Sequence, residues 1–492
     1  MARSKTKPVV SAGSNCWKIA RANRAAVIVD ACDYFRIARA AMLRARRRIL
    51  LIGWDFDPRI HLQRPEDGGV EDETLGSLLL DIARQRPDIA IDILKWDVGA
   101  LKMFFRGRAI FTLARWAMTK PITFEFDHAH PAGCSHHQKI VIIDDSFAVC
   151  GGIDMTRDRW DTNAHKDDDP RRRRPGGQLY GPWHDVTMVV DGEAARALGE
   201  LGRKRWERAT GRAIEPVEPV DDIWPDELEP DFTNVDVAIA RTRAEHDGAP
   251  EVKEIEALYL DMIARAERFI YAENQYLTSG KIGAAIAARM REKNPPEFVL
   301  VMPLSAEGWL EQKAMDGARV RLGQAIGHVD THNRFRIYTP RTRKGGDIYV
   351  HAKVMIVDDR VLRIGSSNLN NRSLGLDSEC DLAIDTALEA NAKAGERIAA
   401  LRTRLMAEHL DVAEAEVAAK FNETGSLVAT IEALQHSGKT LDLLTFEEPD
   451  AVEDFIAENE LLDPESPDEM FESIAHRGLF RRWRGVRWHR RG

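Results

Sequence analysis

The sequence predicts an α/β protein: two duplicated, mixed-sheet α/β sandwich halves, packed about a pseudo-two-fold axis and sharing one active site. Three observations carry that expectation. One short pattern occurs twice, as His137-Gln-Lys139-Ile-Val-Ile-Ile-Asp144 and as His351-Ala-Lys353-Val-Met-Ile-Val-Asp358, so both copies read H-x-K-x4-D and stand 214 residues apart. The match continues without a gap through Asp145 and Asp359, then through Gly151-Gly-Ile-Asp154 and Gly365-Ser-Ser-Asn368, and a repeat of that length marks a duplicated unit. Helix-like and strand-like stretches alternate in both halves, which implies helices laid on mixed sheets.

Taken in order, the first half spans residues 1–212. A helix over Tyr34–Arg48 leads into a strand, Ile49–Trp54, and a further apolar strand, Ile89–Leu94, precedes the first motif. After a loop from His165 to Gln178, Asp185 opens the strand Asp185–Val190. Residues 213–240 form a connector, Pro-rich and acidic from Glu215 to Pro230, a composition that reads as extended chain. The second half, 241–410, repeats the order: helix Leu258–Arg268, strands Phe269–Ala272 and Phe298–Met302, the second motif, then a strand opened by Glu379. Helical periodicity continues over 411–445 as an extension. The tail, 446–492, is acidic from Glu447 to Glu472, then basic with Trp483 and Trp488. It is expected to be flexible, and its basic end suits an anionic membrane surface.

The motif residues carry the chemistry. In extended chain, residues i and i+2 share a face, so His137 and Lys139 project together, as do His351 and Lys353, with Val141, Ile143, Met355 and Val357 continuing those sides into the core. A core strand has no use for such cations, which are costly to bury unless paired. Phosphoryl chemistry uses all four. Two ammoniums hold the non-bridging oxygens of a phosphodiester and stabilise the transition state. One neutral imidazole attacks phosphorus while the opposite imidazolium protonates the leaving alkoxide, giving a phosphohistidine that water or an alcohol releases. Each imidazole needs a carboxylate on its other nitrogen, and each half offers one after its own histidine: Asp185 in the first, Glu379 in the second. Asp154 and Asn368 are expected to add polar contacts to substrate. Asp55 and Gln275 fall at the carboxyl ends of equivalent strands, where α/β folds place ligands.

These residues, together with Gly151-Gly-Ile-Asp-Met-Thr-Arg-Asp-Arg-Trp160-Asp161, Pro182-Trp-His-Asp185, Tyr271-Ala-Glu-Asn-Gln-Tyr276 and Gly365-Ser-Ser-Asn-Leu-Asn-Asn-Arg372-Ser373, resemble the phospholipase D superfamily, most of all its eukaryotic-type branch. The resemblance covers most of residues 36–405. It implies a phosphodiesterase that cleaves the distal phosphodiester of glycerophospholipids to phosphatidic acid and a free head group, or passes the phosphatidyl group to an alcohol. It further implies catalytic roles for His137, Lys139, Asp144, His351, Lys353 and Asp358, with His137 as nucleophile, His351 as acid/base, and no metal or other cofactor. Related alternatives are a phosphatidyltransferase of the cardiolipin-synthase kind, which usually carries amino-terminal membrane anchors, and a superfamily nuclease. A scaffold that had abandoned turnover would normally have lost a His or a Lys, and all four are present. The chain departs from the eukaryotic-type pattern in being short, with no segment resembling that branch's amino-terminal lipid-binding modules.

Composition narrows the partners. A chain of 492 residues is long enough for two or more domains, and its net charge of −9 argues against general nucleic-acid binding. Five cysteines without a C-x-x-C pattern read as free thiols of a reducing compartment. The apolar stretch Ala25–Val29 is cut by Asp30 and is too short for a secretion leader. No run approaches the roughly 20 apolar residues of a transmembrane helix. The expected partner is therefore a phospholipid bilayer surface met peripherally, and no oligomer is required because both motifs lie in one chain. The expected location is cytoplasmic or at the membrane surface; export by a route that reads no cleaved leader is compatible with the sequence. In the loop after His165, Asp167-Asp-Asp-Pro170 runs into Arg171–Arg174. Such a run is usually a solvated loop, but its place between His137 and Asp185 sets it near the expected site mouth, where it can gather anionic head groups.

Overall fold

The computed structural model describes residues 7–66, 73–96, 115–116, 118–221, 223–305 and 309–445, with backbone alone for 309–316. The acidic and basic tail over 446–492 lies outside the described residues. The first half supplies β1 (Lys18–Val29), β2 (Arg48–Gly53), β3 (Ala90–Trp96), β4 (Ile122–Asp127), β5 (Ile140–Ile143), β6 (Phe147–Gly151), β7 (Trp183–His184) and β8 (Val186–Asp191). The second supplies β9 (Phe232–Arg243), β10 (Val252–Lys253), β11 (Phe269–Glu273), β12 (Glu297–Val301), β13 (Phe335–Arg341), β14 (Tyr349–Val350), β15 (Val354–Val357), β16 (Val361–Gly365) and β17 (Glu379–Asp385), followed by β18 (Thr440–Leu443).

The two mixed sheets are continuous. Outward from the antiparallel β1–β9 pair, one arm runs β1-β8-β6-β5-β2-β3-β4 and the other β9-β17-β16-β15-β11-β12-β13. Equivalent strands follow the same order, so the pseudo-two-fold passes through β1 and β9, where Ala20 faces Val237 and Ala22 faces Val235. The β9 strand begins at Phe232, inside the stretch expected to be a connector, so the extended chain ends before it. Its Asn234 and Asp236 interrupt the apolar pattern, which hid the strand from a periodicity reading. The 411–445 extension also gains a strand: after helices Glu414–Thr424 and Leu427–Leu434, β18 pairs antiparallel with β13.

Apolar burial is arranged in layers. Ile140, Ile142, Met188, Val354, Ile356 and Leu382 share one central core with helices Gly192–Thr210 and Gly395–Leu410. Val141 and Ile143 instead face an outer layer under helices Ala31–Arg44 and Leu75–Gln85. Met355 and Val357 do the same under helices Glu254–Arg265 and Gly280–Met290. Strands β5 and β15 begin only after the lysines, so each His–Lys pair sits on the extended segment entering a strand rather than within it. Among the described residues, no helix is long and apolar enough to cross a membrane.

Candidate active site

Each motif histidine is held by the opposite half. The His137 Nδ1 lies 2.9 Å from Glu379 Oε1, and the His351 Nδ1 lies 2.7 Å from Asp185 Oδ2. This corrects the expectation that each carboxylate serves the histidine it follows. The reason is topological: β6 separates β5 from β8, and β16 separates β15 from β17, which puts a carboxylate two strand spacings, roughly 9–10 Å, from its own histidine. The backbone repeats the exchange. The His137 N–H donates to the Ser378 carbonyl at 2.9 Å and the His351 N–H to the His184 carbonyl at 2.8 Å. A parallel bridge joins His136 to Ser378, and β14 pairs in parallel with β7, placing Val350 beside His184. Glycine makes room for these carboxylates: a Cβ on Gly152 would stand 2.9 Å from Asp185 Cγ, and one on Gly151 2.5 Å from Thr187 Cα.

The lysines are buried beside the histidines. Lys139 Nζ donates to the His137 carbonyl at 2.9 Å and lies 3.2 Å from Asp154 Oδ2. Lys353 Nζ donates to the His351 carbonyl and, at 3.2 Å, to Gln275 Oε1. Asp154 and Gln275 therefore sit against the motif lysines. Asn368, the residue equivalent to Asp154, is 4% exposed, and its Oδ1 has no hydrogen-bond partner. Asp55 is occupied by Lys95 at 2.6 Å and Thr156 at 2.7 Å, so it buttresses the strand end.

Asp144 and Asp358 belong elsewhere. The Asp144 carboxylate accepts from the backbone N–H groups of Arg46, Arg47 and Arg48, and Asp358 accepts from those of Glu267, Arg268 and Phe269. Both lie past the far end of their strands from the histidines, at turns where Asp144, Asp145, Asp358 and Asp359 all take positive φ of 49–55°, a conformation Asp tolerates better than most residues. Asp145 pairs with Arg203 and Asp359 with Arg402. The carboxylate of the motif thus clamps the loop entering β2 or β11, and its position departs from the direct role implied by the family resemblance.

Burial and crowding set the protonation. Burial first, then the Lys139 and Lys353 ammoniums, hold His137 well below the usual imidazole range; burial, Lys353 and Arg159 do the same to His351. Each lysine's charge also bears on the other half's histidine. Burial pulls Lys353 down to about 7 although Asp185 opposes it, and lifts Asp185 to about 7 and Glu379 to about 8 against the lysines. Glu379 is fixed by the Ser366 and Ser373 hydroxyls. The site thus sets neutral imidazoles beside two buried lysines.

Several residues around the site gave no signal in the spacing. Arg205, buried in helix Gly192–Thr210, donates to Asp127 at 2.8 Å, Gln138 at 3.0 Å and Ser378 at 2.5 Å, pinning the loop that carries His137. Trp183 stacks on Tyr349 with centroids 4.6 Å apart and packs 5.2 Å from the His351 ring. The basic loop is not a free anion trap. Arg171 pairs with Asp169 at 2.7 Å, Arg172 is buried against Asp161 at 3.1 Å, and Arg174 pairs with Asp158 at 2.8 Å. The neighbouring aspartates neutralise most of the run.

Among the described residues, two groups bring metal-ligating atoms together: Asp30, His165, His184 and Glu408, and His184, Glu273 and His409. Protons already satisfy them. His184 lies 2.8 Å from Glu273 and 2.9 Å from Glu408, while His165 lies 2.9 Å from Asp161 and 3.1 Å from Glu408. Despite burial, these carboxylates raise His165 to about 9 and His184 well above the imidazole range. The cluster ties the loop before Asp185 to helix Gly395–Leu410 of the other half.

Known proteins agree with this architecture. The phospholipase D family model matches residues 41–281 and again 277–450. Phospholipase D1 of Saccharomyces cerevisiae is 27% identical over 489 residues, covering 78% of this chain and 28% of that protein. Phospholipase D A of Dictyostelium discoideum is 27% identical over 459 residues, covering 78% and 35%. The chain thus spans about a third of the length of these relatives. The solved phosphatidylserine synthase of Haemophilus influenzae shares the fold, with a TM-score of 0.52 at 13% identity over 77% of this chain and 88% of that one. Two matched repeats, covering most of the chain, place it in a family: it belongs to the phospholipase D family.

Proposed function

We propose that this protein is a phospholipase D-type phosphodiesterase, cleaving the distal phosphodiester of glycerophospholipids to phosphatidic acid and a free head group, with transfer of the phosphatidyl group to alcohols. The observation that carries the reading is the pair of His–Lys dyads facing one space, each histidine held by a carboxylate from the opposite half. Neutral His137 attacks phosphorus through its free Nε2 while Glu379 holds Nδ1. The P–O bond to the head group breaks, and His351, once protonated, donates its proton to the leaving oxygen. An arriving phosphate favours that imidazolium, because its negative charge offsets the ammoniums that keep His351 neutral. Water or an alcohol then gives its proton to His351 and displaces His137 from phosphorus. Lys139 and Lys353 hold the non-bridging oxygens, with Asn368 as a neutral donor beside them and Asp154 and Gln275 orienting the ammoniums. A cavity of about 300 Å³ lined by Trp183, Tyr349, Tyr180 and Pro182 adjoins His351 through Trp183 and suits the head group or acceptor alcohol. The substrate would be met at a bilayer surface.

Product analysis tests this. Purified protein and a His137→Ala control are incubated with phosphatidylcholine and phosphatidylethanolamine vesicles, with and without ethanol, beside single-stranded DNA. Phosphatidic acid that gives way to phosphatidylethanol when ethanol is added, and is absent with the control, is the expected result. Cleaved DNA with intact lipid would move the protein to the nuclease side of its superfamily.

A further inference from the structure

Arg159 stands next to the site without the anion that a buried guanidinium requires. The residue is 8% exposed, its Nε is buried with no hydrogen-bond partner, and its Nη1 reaches only the Asp158 carbonyl, at 3.4 Å. No carboxylate pairs with it among the described residues. Its charge is held in place instead by an aromatic face: the guanidinium carbon lies 4.1 Å from the Trp183 ring centroid, and the same ring packs 5.2 Å from His351. Cation–π contact offsets only part of the cost of burying such a charge. Arg171, Arg172 and Arg174 of the loop that follows, by contrast, each have a carboxylate.

The field of Arg159 reaches the reacting groups, opposing protonation of His351 and of Lys353. The two motif lysines leave a place for it. Lys139 shares its charge with Asp154 at 3.2 Å, and Lys353 is an ammonium buried against a neutral amide. A guanidinium, by contrast, stays charged throughout the working pH range and presents a planar fork to phosphate oxygens.

We propose that Arg159 is a third cationic ligand of the substrate phosphate, contacting a non-bridging oxygen on the His351 side and stabilising the charge that gathers there in the transition state. The proposal rests on the phosphodiesterase reading above. It assigns a catalytic contact outside both H-x-K-x4-D motifs, on the loop that follows Asp154.

The test compares wild type with Arg159→Gln and Arg159→Lys, using soluble short-chain phosphatidyl-p-nitrophenol as substrate and inorganic phosphate as competitive inhibitor. Arg159→Gln is expected to lower kcat/KM by about 10²- to 10³-fold, the usual effect of removing one preorganised donor from a developing anion. It should weaken phosphate inhibition at least tenfold, on the same ground. Arg159→Lys should recover part of both. Removing a cation that opposes protonation of Lys353 lets that amine keep its proton more readily, so the basic limb of the pH profile should move upward. A merely structural role would lower the melting temperature and leave the inhibition constant and the basic limb where they were. A folded Arg159→Gln protein with wild-type kinetics and phosphate inhibition overturns the proposal. Should that variant fail to fold, Arg159→Lys decides, since loss of the fork with charge retained must still weaken phosphate inhibition. A wild type that neither turns over the diester nor binds phosphate would instead defeat the phosphodiesterase reading itself.

Discussion

His137 and Glu379 lie 242 residues apart in the chain and meet at 2.9 Å across the pseudo-two-fold. His351 and Asp185 repeat the contact at 2.7 Å. Neither half is therefore complete: each brings a histidine and lysine, and receives from its partner half the carboxylate that fixes the imidazole.

This exchange predicts a pattern of coupling. Glu379→Gln and Asp185→Asn should each reduce kcat substantially, up to about 10⁴-fold by analogy with loss of the carboxylate that orients a catalytic imidazole. In a double-mutant cycle, Glu379→Gln should add almost nothing to His137→Ala, whereas Asp185→Asn should couple to His351→Ala. The His137 Nδ1–H proton resonance should shift in Glu379→Gln and stay in Asp185→Asn; the reverse would contradict the arrangement.

Protonation predicts a narrow pH optimum. His137, the nucleophile, is held below the imidazole range, so the acid limb of kcat/KM, where it takes a proton, should fall below about 6.5, the ordinary imidazole value. Lys353, lowered to about 7 by burial, loses its ammonium as pH rises through that value, which should weaken phosphate binding and set the basic limb. Lys353→Arg should remove that limb, because guanidinium does not titrate there. A basic limb unchanged in that variant would assign it to another group.

Asp144 is expected to matter for stability rather than turnover. Removing its carboxylate strands three backbone N–H groups, so Asp144→Ala should cost about 2–4 kcal/mol in denaturant unfolding, and Asp144→Asn less. The kcat of the folded fraction should stay within a few-fold of wild type. A collapse of kcat with unchanged stability would return Asp144 to a chemical role.

The buried histidine cluster predicts a pH-dependent tie between the halves. His165 is raised to about 9 and His184 well above its ordinary value. A raised folded value means the stabilisation is complete below the unfolded pKa, about 6.5, and is lost as pH climbs through about 9. His184→Gln leaves Glu273 without its imidazolium and Glu408 with His165 as its remaining counter-charge, and should cost about 3–5 kcal/mol at pH 6. Its gap from wild type should narrow as pH rises well above the ordinary imidazole value. A gap independent of pH would mean that the imidazole is neutral in the fold.

Much of this was legible in the chain. The repeat of H-x-K-x4-D disclosed the duplication, the α/β alternation and the two dyads, because local pattern and composition are written in sequence order. Pairing across the axis was not, since nothing local tells Glu379 that β16 will separate it from His351. The same limit hid β9, whose place beside β1 is a tertiary fact, and the neutralisation of Arg171–Arg174, which depends on Asp158, Asp161 and Asp169 folding back onto them. Nothing in the stretch from Gly151 to Asp161 marks Arg159 out, because its lack of a carboxylate partner is a tertiary fact.

The proposed chemistry binds His137 covalently to the phosphatidyl group in a site completed by the other half. The most direct measurement uses His351→Ala with short-chain phosphatidyl-p-nitrophenol, whose leaving group needs no proton from the missing histidine, while attack on phosphorus remains open. The expected result is a burst of one p-nitrophenolate per protein and a phosphatidyl mass on the peptide containing His137, absent when Glu379→Gln is added. Steady turnover without an adduct, or a phosphatidyl mass on some other residue, would contradict it.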